Sequence, residues 1–283
     1  MGQEGAFNMA GKLYVVGTPI GNLSDLSPRA VEVLSEIDFI AAEDTRVTLK
    51  LLSRFDIKKP LVSYYEHNIR ERGEQITQRI LNGENCAVVS DAGMPCISDP
   101  GEDLVRLCYE QGIEVTVIPG PSAVVSALAI SGKKTSRFCF EGFLSTAKKQ
   151  RSEHLKQLEN EERTMIFYEA PHKLKATLED MQKVWGDRNI SLCRELTKIH
   201  EEVIRTSFSK ALEMYEQISP RGEYVLIIEG KQEEKAEEIA IEDALKLVRE
   251  LVDSGEKLTD ACKQISKKTG FSKSELYNAC EKT

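Results

Sequence analysis

Short apolar runs separated by amphipathic stretches of about ten residues, repeated between residues 12 and 118, constrain this chain more than any other feature. Segments 13–16, 38–42, Leu61–Ser63, 86–90 and Glu114–Ile118 read as strands. Between them Pro28–Glu36, Thr45–Arg54, Ile69–Leu81 and 101–111 carry helical spacing. Strands separated by a helix of this length pair in parallel, because antiparallel neighbours need only a tight turn. The expected architecture is a mainly parallel sheet with helices on both faces. Local punctuation agrees: Ser27 and Pro28 suit the N-cap and first position of a helix, and Gly112 suits the end of another.

Pro119-Gly120-Pro121 interrupts the pattern, since two prolines around a glycine stop a strand before Ser122 opens a helix. Beyond it the alternation resumes. Strands are expected at 138–140, 164–168, 190–193, 203–207 and 224–229, and helices at 148–159, 171–184 and 210–217. The stretch 232–238 is charged and poor in apolar residues, which suits a linker. Three helical patterns come after it, Ile241–Asp253, Leu258–Thr269 and 273–282. The expected organisation is an N-terminal α/β domain at 12–118, a second α/β domain at 119–231 with a mixed sheet, and a helical tail at 240–283. Residues 1–11 precede the first strand and are not counted in the fold; Met9 is an alternative start.

Composition narrows the function classes. A net charge of −8 over 283 residues gives no global basic field, so any contact with nucleic acid has to be local. Segment 133–163 is such a place, with eight Lys/Arg against five Glu, including Lys148, Lys149 and Arg151. No apolar run has the ~18–20 residues of a membrane span, and no basic-then-apolar leader opens the chain, so a cytoplasmic protein is expected. Seven scattered cysteines without paired spacing suggest reduced, buried thiols, with neither a disulfide framework nor a metal site.

Three loops concentrate the chemistry. Strand 13–16 runs into Gly17-Thr18-Pro19-Ile20-Gly21-Asn22, which fits neither the dinucleotide fingerprint nor the Walker phosphate loop. After the apolar run 86–89 comes Ser90-Asp91-Ala92-Gly93-Met94-Pro95-Cys96-Ile97-Ser98-Asp99-Pro100-Gly101. That loop is longer than most connections of its kind and offers carboxylates, hydroxyls and amides but no cation. Such a set suits a ligand that donates hydrogen bonds, through ribose hydroxyls or an amino group, better than a polyphosphate. Gly120-Pro121-Ser122-Ala123 is the third. All three should leave the carboxyl edge of one sheet, where α/β folds bind ligands.

The same segments carry a resemblance. The stretches V-V-G-T-P-I-G-N-L-S-D-L-S-P-R-A at 15–30, A-A-E-D-T-R at 41–46, V-V-S-D-A-G-M-P-C-I-S-D-P-G at 88–101 and I-P-G-P-S-A at 118–123 resemble the tetrapyrrole methylase superfamily. These are the class III S-adenosylmethionine methyltransferases. Downstream, F-E-G-F-L at 140–144, Y-E-A-P-H-K at 168–173 and R-E-L-T-K-I-H-E-E at 194–202 are similar to the ribosomal RNA small subunit methyltransferase I family. Members of that branch methylate a cytidine ribose 2′-oxygen.

The resemblance implies two α/β domains with S-adenosylmethionine in the cleft between them, a homodimer, and small-subunit ribosomal RNA as the partner. By motif position, Pro19, Ser90, Asp91, Met94, Ser122, Ala123, Tyr168 and Leu196 should contact the donor. A ribose hydroxyl is a weak nucleophile, so transfer needs a base for its proton or a cation for the developing alkoxide. Glu43, where tetrapyrrole-acting relatives carry an acidic residue, is the candidate base or orienting carboxylate, and Lys198 the electrostatic partner. Arg46 and His67 are secondary candidates. The competing reading within the fold is a tetrapyrrole C-methyltransferase of cobalamin or sirohaem synthesis. A binding module that kept the pocket without turnover competes from outside the enzyme class.

Overall fold

The computed structural model describes residues 10–232 and 240–281 and divides into two compact units, one ending at Gly230 and the other beginning at Lys231. Residues 1–9, 233–239 and 282–283, which include most of the expected linker and the last residue of the expected helix 273–282, lie outside the described residues.

The first unit is built on two five-stranded sheets. One contains β1 (Lys12–Val16), β2 (Phe39–Ala42), β3 (Leu61–Ser63), β4 (Cys86–Val89) and β5 (Glu114–Ile118), in the order β3-β2-β4-β1-β5 with every pair parallel. The crossovers are α1 (Pro28–Glu36), α2 (Thr45–Arg54), α3 (Ile69–Leu81) and α4 (Gly101–Glu110). Ser27 caps α1 as the sequence predicts, accepting from the Ala30 amide at 3.1 Å, with Pro28 at the first turn. β4 is buried at all four residues because a hydrophobic cluster lies on each face of the sheet. Full burial of a Leu, Ile or Phe side chain stabilises by about 1.5–3 kcal/mol, so residues such as Leu13, Phe39, Leu34 and Ile40 hold this layer together.

After Pro119-Gly120-Pro121, helix α5 (Ala123–Ser131) packs on the second sheet instead of the first: Val124, Ala127 and Leu128 cluster with Ile166, Cys193 and Ile227. This sheet contains β6 (Phe138–Phe143), β7 (Thr164–Glu169), β8 (Asn189–Arg194), β9 (Glu202–Ser207) and β10 (Tyr224–Ile228), ordered β6-β7-β10-β8-β9. Only β6–β7 is parallel; the other pairs are antiparallel, so the sheet is mixed, as expected. Helices α6 (Lys148–Gln157), α7 (Pro171–Trp185) and α8 (Phe208–Gln217) complete the unit, and Trp185, Phe208, Phe167 and Leu226 lie in the second face's core.

The second unit holds α9 (Ile241–Asp253), α10 (Leu258–Thr269) and α11 (Lys273–Glu281) around Ala244, Val248, Ala261, Cys262, Ile265 and Leu276. Gly270, at φ 72°, ends α10. Ser272 and Glu275 then cap each other's amides, at 3.1 and 2.7 Å, in a reciprocal box. No helix among the described residues is long and apolar enough to cross a membrane.

Candidate functional site

The three loops meet, and glycine makes their meeting possible. A β-carbon on Gly17 would fall 2.7 Å from the Gly120 α-carbon and 2.7 Å from Met94 Sδ. Thr18 and Gly93 exchange both backbone hydrogen bonds, at 2.9 and 3.1 Å, which ties the loop after β1 to the loop after β4. The Gly120 amide donates to Met94 Sδ at 3.2 Å and brings in the third loop. Within the loop after β4, Asp99 Oδ1 accepts from the amides of Cys96 (2.9 Å) and Gly101 (2.8 Å), and Cys96 and Ser98 adopt positive φ of 70° and 64°. Left-handed non-glycine residues cost of order 1–3 kcal/mol each and cluster where the surrounding structure fixes a functional shape.

A cavity of about 520 Å³ opens beside these loops. Gly93, Met94 and Ile97 line it from the loop after β4, Ser122 and Ala123 from the start of α5, and Tyr168, Leu196 and Lys198 from the second sheet. Ser122 holds the N-cap position of α5 without making a capping hydrogen bond, so its hydroxyl remains available to the cavity. Tyr168 stands between Phe140 and Phe143, at ring distances of 5.0 and 5.4 Å, and burial raises its phenol pKa. Leu196 is buried between Glu195 and Thr197, which take φ of 51° and 65°.

Lys198 is held firmly. Its Nζ lies 3.0 Å from a carboxylate oxygen of Glu195 and 3.0 Å from one of Glu223. Burial alone would lower its pKa, but the two carboxylates outweigh burial and raise it, so the amine stays charged. The stem crosses Gly21, where a β-carbon would come within 2.5 Å of Lys198 Cγ.

Six of the ten residues singled out in the sequence therefore share one cavity: Met94, Ser122, Ala123, Tyr168, Leu196 and Lys198. The other four lie outside its lining. Ser90 is buried, with its hydroxyl 3.5 Å from the Gly93 carbonyl. Pro19 separates Thr18, which faces the loop junction, from Ile20, which lines the cavity. Asp91 accepts from the Asp44 amide at 3.1 Å, and its own amide donates to Glu43 Oε2 at 3.4 Å. Burial raises the pKa of both Glu43 and Asp91, and for Glu43 it outweighs the Asp91 amide hydrogen bond, which lowers it. Glu43 thus belongs to a carboxylate cluster at the ends of β2 and β4, while Lys198 belongs to the cavity. Of the secondary candidates, Arg46 pairs with Asp44, whose carboxyl it lowers to about 2, and His67 packs edge-on to Tyr65.

Sequence reading missed Ile97, Phe143 and Glu223. Phe143 stands in the F-E-G-F-L motif, and an aromatic directly after a glycine at a strand end was the available signal. Glu223 had none, because only the antiparallel β8–β10 register brings it beside Glu195. Among the described residues, no group of three or more His, Cys, Asp or Glu is placed to hold a metal ion.

The chain is similar to known proteins. The sequence model of the tetrapyrrole (corrin/porphyrin) methylases matches residues 12–212. A protein of Synechocystis named ribosomal RNA small subunit methyltransferase I is 46% identical over 268 residues, 94% of this chain and 96% of the relative. One of the same name from Thermotoga maritima is 48% identical over 222 residues, 78% of this chain and the whole of that relative. Among solved structures, uroporphyrin-III C-methyltransferase from Thermus thermophilus, complexed with S-adenyl homocysteine, superposes with a TM-score of 0.56 at 14% identity, over 77% of this chain and 97% of that one. That likeness establishes the shared fold. With two α/β sheets, the converging loops and this degree of identity, the chain belongs to the tetrapyrrole (corrin/porphyrin) methylase family, in the branch of proteins named ribosomal RNA small subunit methyltransferase I.

Proposed function

We propose that this chain transfers a methyl group from S-adenosylmethionine to the ribose 2′-oxygen of a cytidine in small-subunit ribosomal RNA, as a cytoplasmic homodimer. The observation that carries the reading is the single cavity in which Met94, Ser122, Ala123, Tyr168 and Leu196 are joined by the charged Lys198. The names of the relatives support RNA as the substrate over a tetrapyrrole.

The lining suits the donor. Met94, Ala123 and Leu196 supply apolar surface for a ring and a thioether, Tyr168 an aromatic wall, and Ser122 a hydroxyl. The close approach of Gly17, Gly120 and Met94 Sδ leaves no room for a side chain at Gly17. When bound, the donor supplies an activated methyl group on a sulfonium centre. The chain's task is then alignment of the nucleophile and management of its proton.

Lys198 Nζ, kept charged by Glu195 and Glu223, stabilises negative charge on the attacking oxygen. Glu43, with a pKa raised by burial, is the carboxylate proposed to take or orient its proton, although it stands with Asp91 outside the cavity lining. Labelled donor incubated with small ribosomal subunits and digested to nucleosides should give 2′-O-methylcytidine. Label on a base carbon or exocyclic nitrogen would overturn the assignment. For the dimer, light scattering at micromolar concentration should give twice the chain mass, and a monomer mass contradicts it.

A further inference from the structure

We propose that Phe143 is a stacking platform for one unpaired nucleobase of the RNA substrate, placed at the cavity mouth; this rests on the RNA reading proposed for the cavity. Phe143 lines the cavity and is nevertheless 61% exposed, whereas Tyr168, the ring it leans on at 5.4 Å, lies deeper. Exposed apolar side chains are common on any surface; what sets Phe143 apart is that its exposed ring lines a cavity and packs on the aromatic ring of Tyr168.

The backbone is arranged to hold it. The register of β6 against β7 shifts between Phe140 and Gly142, and Gly142 takes φ of 64°. Bulges of this kind re-aim a side chain next to a functional site. At this bulge β6 meets the loop after β4: a β-carbon on Gly142 would be 3.4 Å from Ser98 Oγ. Ile97 of that loop also lines the cavity and is 48% exposed. The mouth therefore presents an aromatic face from one sheet and an aliphatic side chain from the other, which suits a flat, unstacked base.

Charge identifies the occupant as nucleic acid. Five residues after Phe143 the chain enters α6 with Lys148 and Lys149, both exposed, and no acidic residue in the first turn. Cations at a helix N-terminus oppose the helix dipole, and the ion pair from Lys149 to Glu153, at 4.0 Å, leaves the Lys149 side chain 89% exposed. An exposed aromatic with adjacent cations is the pattern by which proteins hold single-stranded nucleic acid, the ring taking the base and the cations the backbone. The inner end of the cavity, with Met94, Ala123 and Leu196, is left to the donor.

The test separates the two ends. Phe143→Ala should weaken binding of a fluorescein-labelled single-stranded oligoribonucleotide about ten-fold by anisotropy, the lower part of what one base stack contributes. It should raise KM for ribosomal RNA while leaving calorimetric affinity for S-adenosylmethionine and the melting temperature unchanged. Phe143→Trp should restore RNA binding and Phe143→Leu should not. Lost donor affinity with unchanged RNA binding would place the ring in the donor site and overturn the proposal. So would a Phe143→Leu variant that binds RNA as well as wild type, or a wild-type chain that fails to bind the oligonucleotide. A wild-type chain that binds it with the stated Phe143 dependence, yet methylates no RNA, would support the platform and refute the methylation reading.

Discussion

Glu43 and Lys198 both lie in the first unit, and the pKa of each is raised, for different reasons. Burial pushes the Glu43 pKa up, while two carboxylates keep Lys198 charged against the effect of burial. A carboxyl whose folded pKa is raised contributes its full stability below the ordinary carboxylate range and loses it as pH rises through the raised value. Glu43→Gln should therefore melt at or above wild type at pH 7 and match it near pH 4. It should keep donor binding and lose at least ten-fold in transfer; thermal melts at the two pH values and a labelled-donor assay check this. Gly21→Ala should force the Lys198 stem aside, with backbone and Thr197 Oγ1 also within 3.0 Å of the added carbon. Overpacking of this kind costs about 1–3 kcal/mol, and turnover should fall further than stability, as denaturant unfolding and kcat would show. These residue types were readable from the sequence, but not their neighbours. Motif position placed Glu43 at a strand end without giving its direction, and the Glu195–Lys198–Glu223 arrangement depends on pairing between strands about thirty residues apart.

At the level of elements, periodicity was a good guide to the first sheet, whose strands β2 and β4 are continuous apolar runs buried from both faces. It was poorer where tertiary packing set the ends. β6 extends to Phe143 instead of stopping at 140, because Glu141 and Gly142 break the alternation and only the bulge lets pairing continue. α8 begins at Phe208 and not at 210, since Phe208 is fully buried in the core shared with Trp185 and anchors the first turn. Convergence of the three loops was legible as a consequence of a parallel sheet, while the Gly17–Gly120 contact that seals it was not. Gly17→Ala should push its added carbon into the Gly120 backbone and Met94. We expect a stability cost of about 1–3 kcal/mol and at least a ten-fold loss of donor affinity, measured by denaturant unfolding and calorimetry.

Across the whole molecule, the cavity and the C-terminal helices belong to different units. Every cavity residue lies in the first unit, which ends at Gly230, and the second unit has its own small core. The Thermotoga relative is matched along its entire length by 78% of this chain, so a protein of that name exists without counterparts to the remainder. Residues from 232 onward carry nine basic against twelve acidic side chains, with Lys263, Lys267, Lys268 and Lys273 grouped around Gly270. A chain truncated after Gly230 should stay folded and bind donor at wild-type affinity. Its transfer to ribosomal substrate should fall and become less salt-dependent, as expected when lysine–phosphate contacts are lost. Unchanged rate and salt slope would exclude the tail from substrate recognition.

That one cavity serves methyl transfer to ribosomal RNA is tested by offering labelled S-adenosylmethionine with small ribosomal subunits, naked ribosomal RNA and uroporphyrinogen side by side. We expect label in the ribosomal substrates, abolished by Lys198→Ala, and none in the porphyrinogen. Label confined to the porphyrinogen would contradict it.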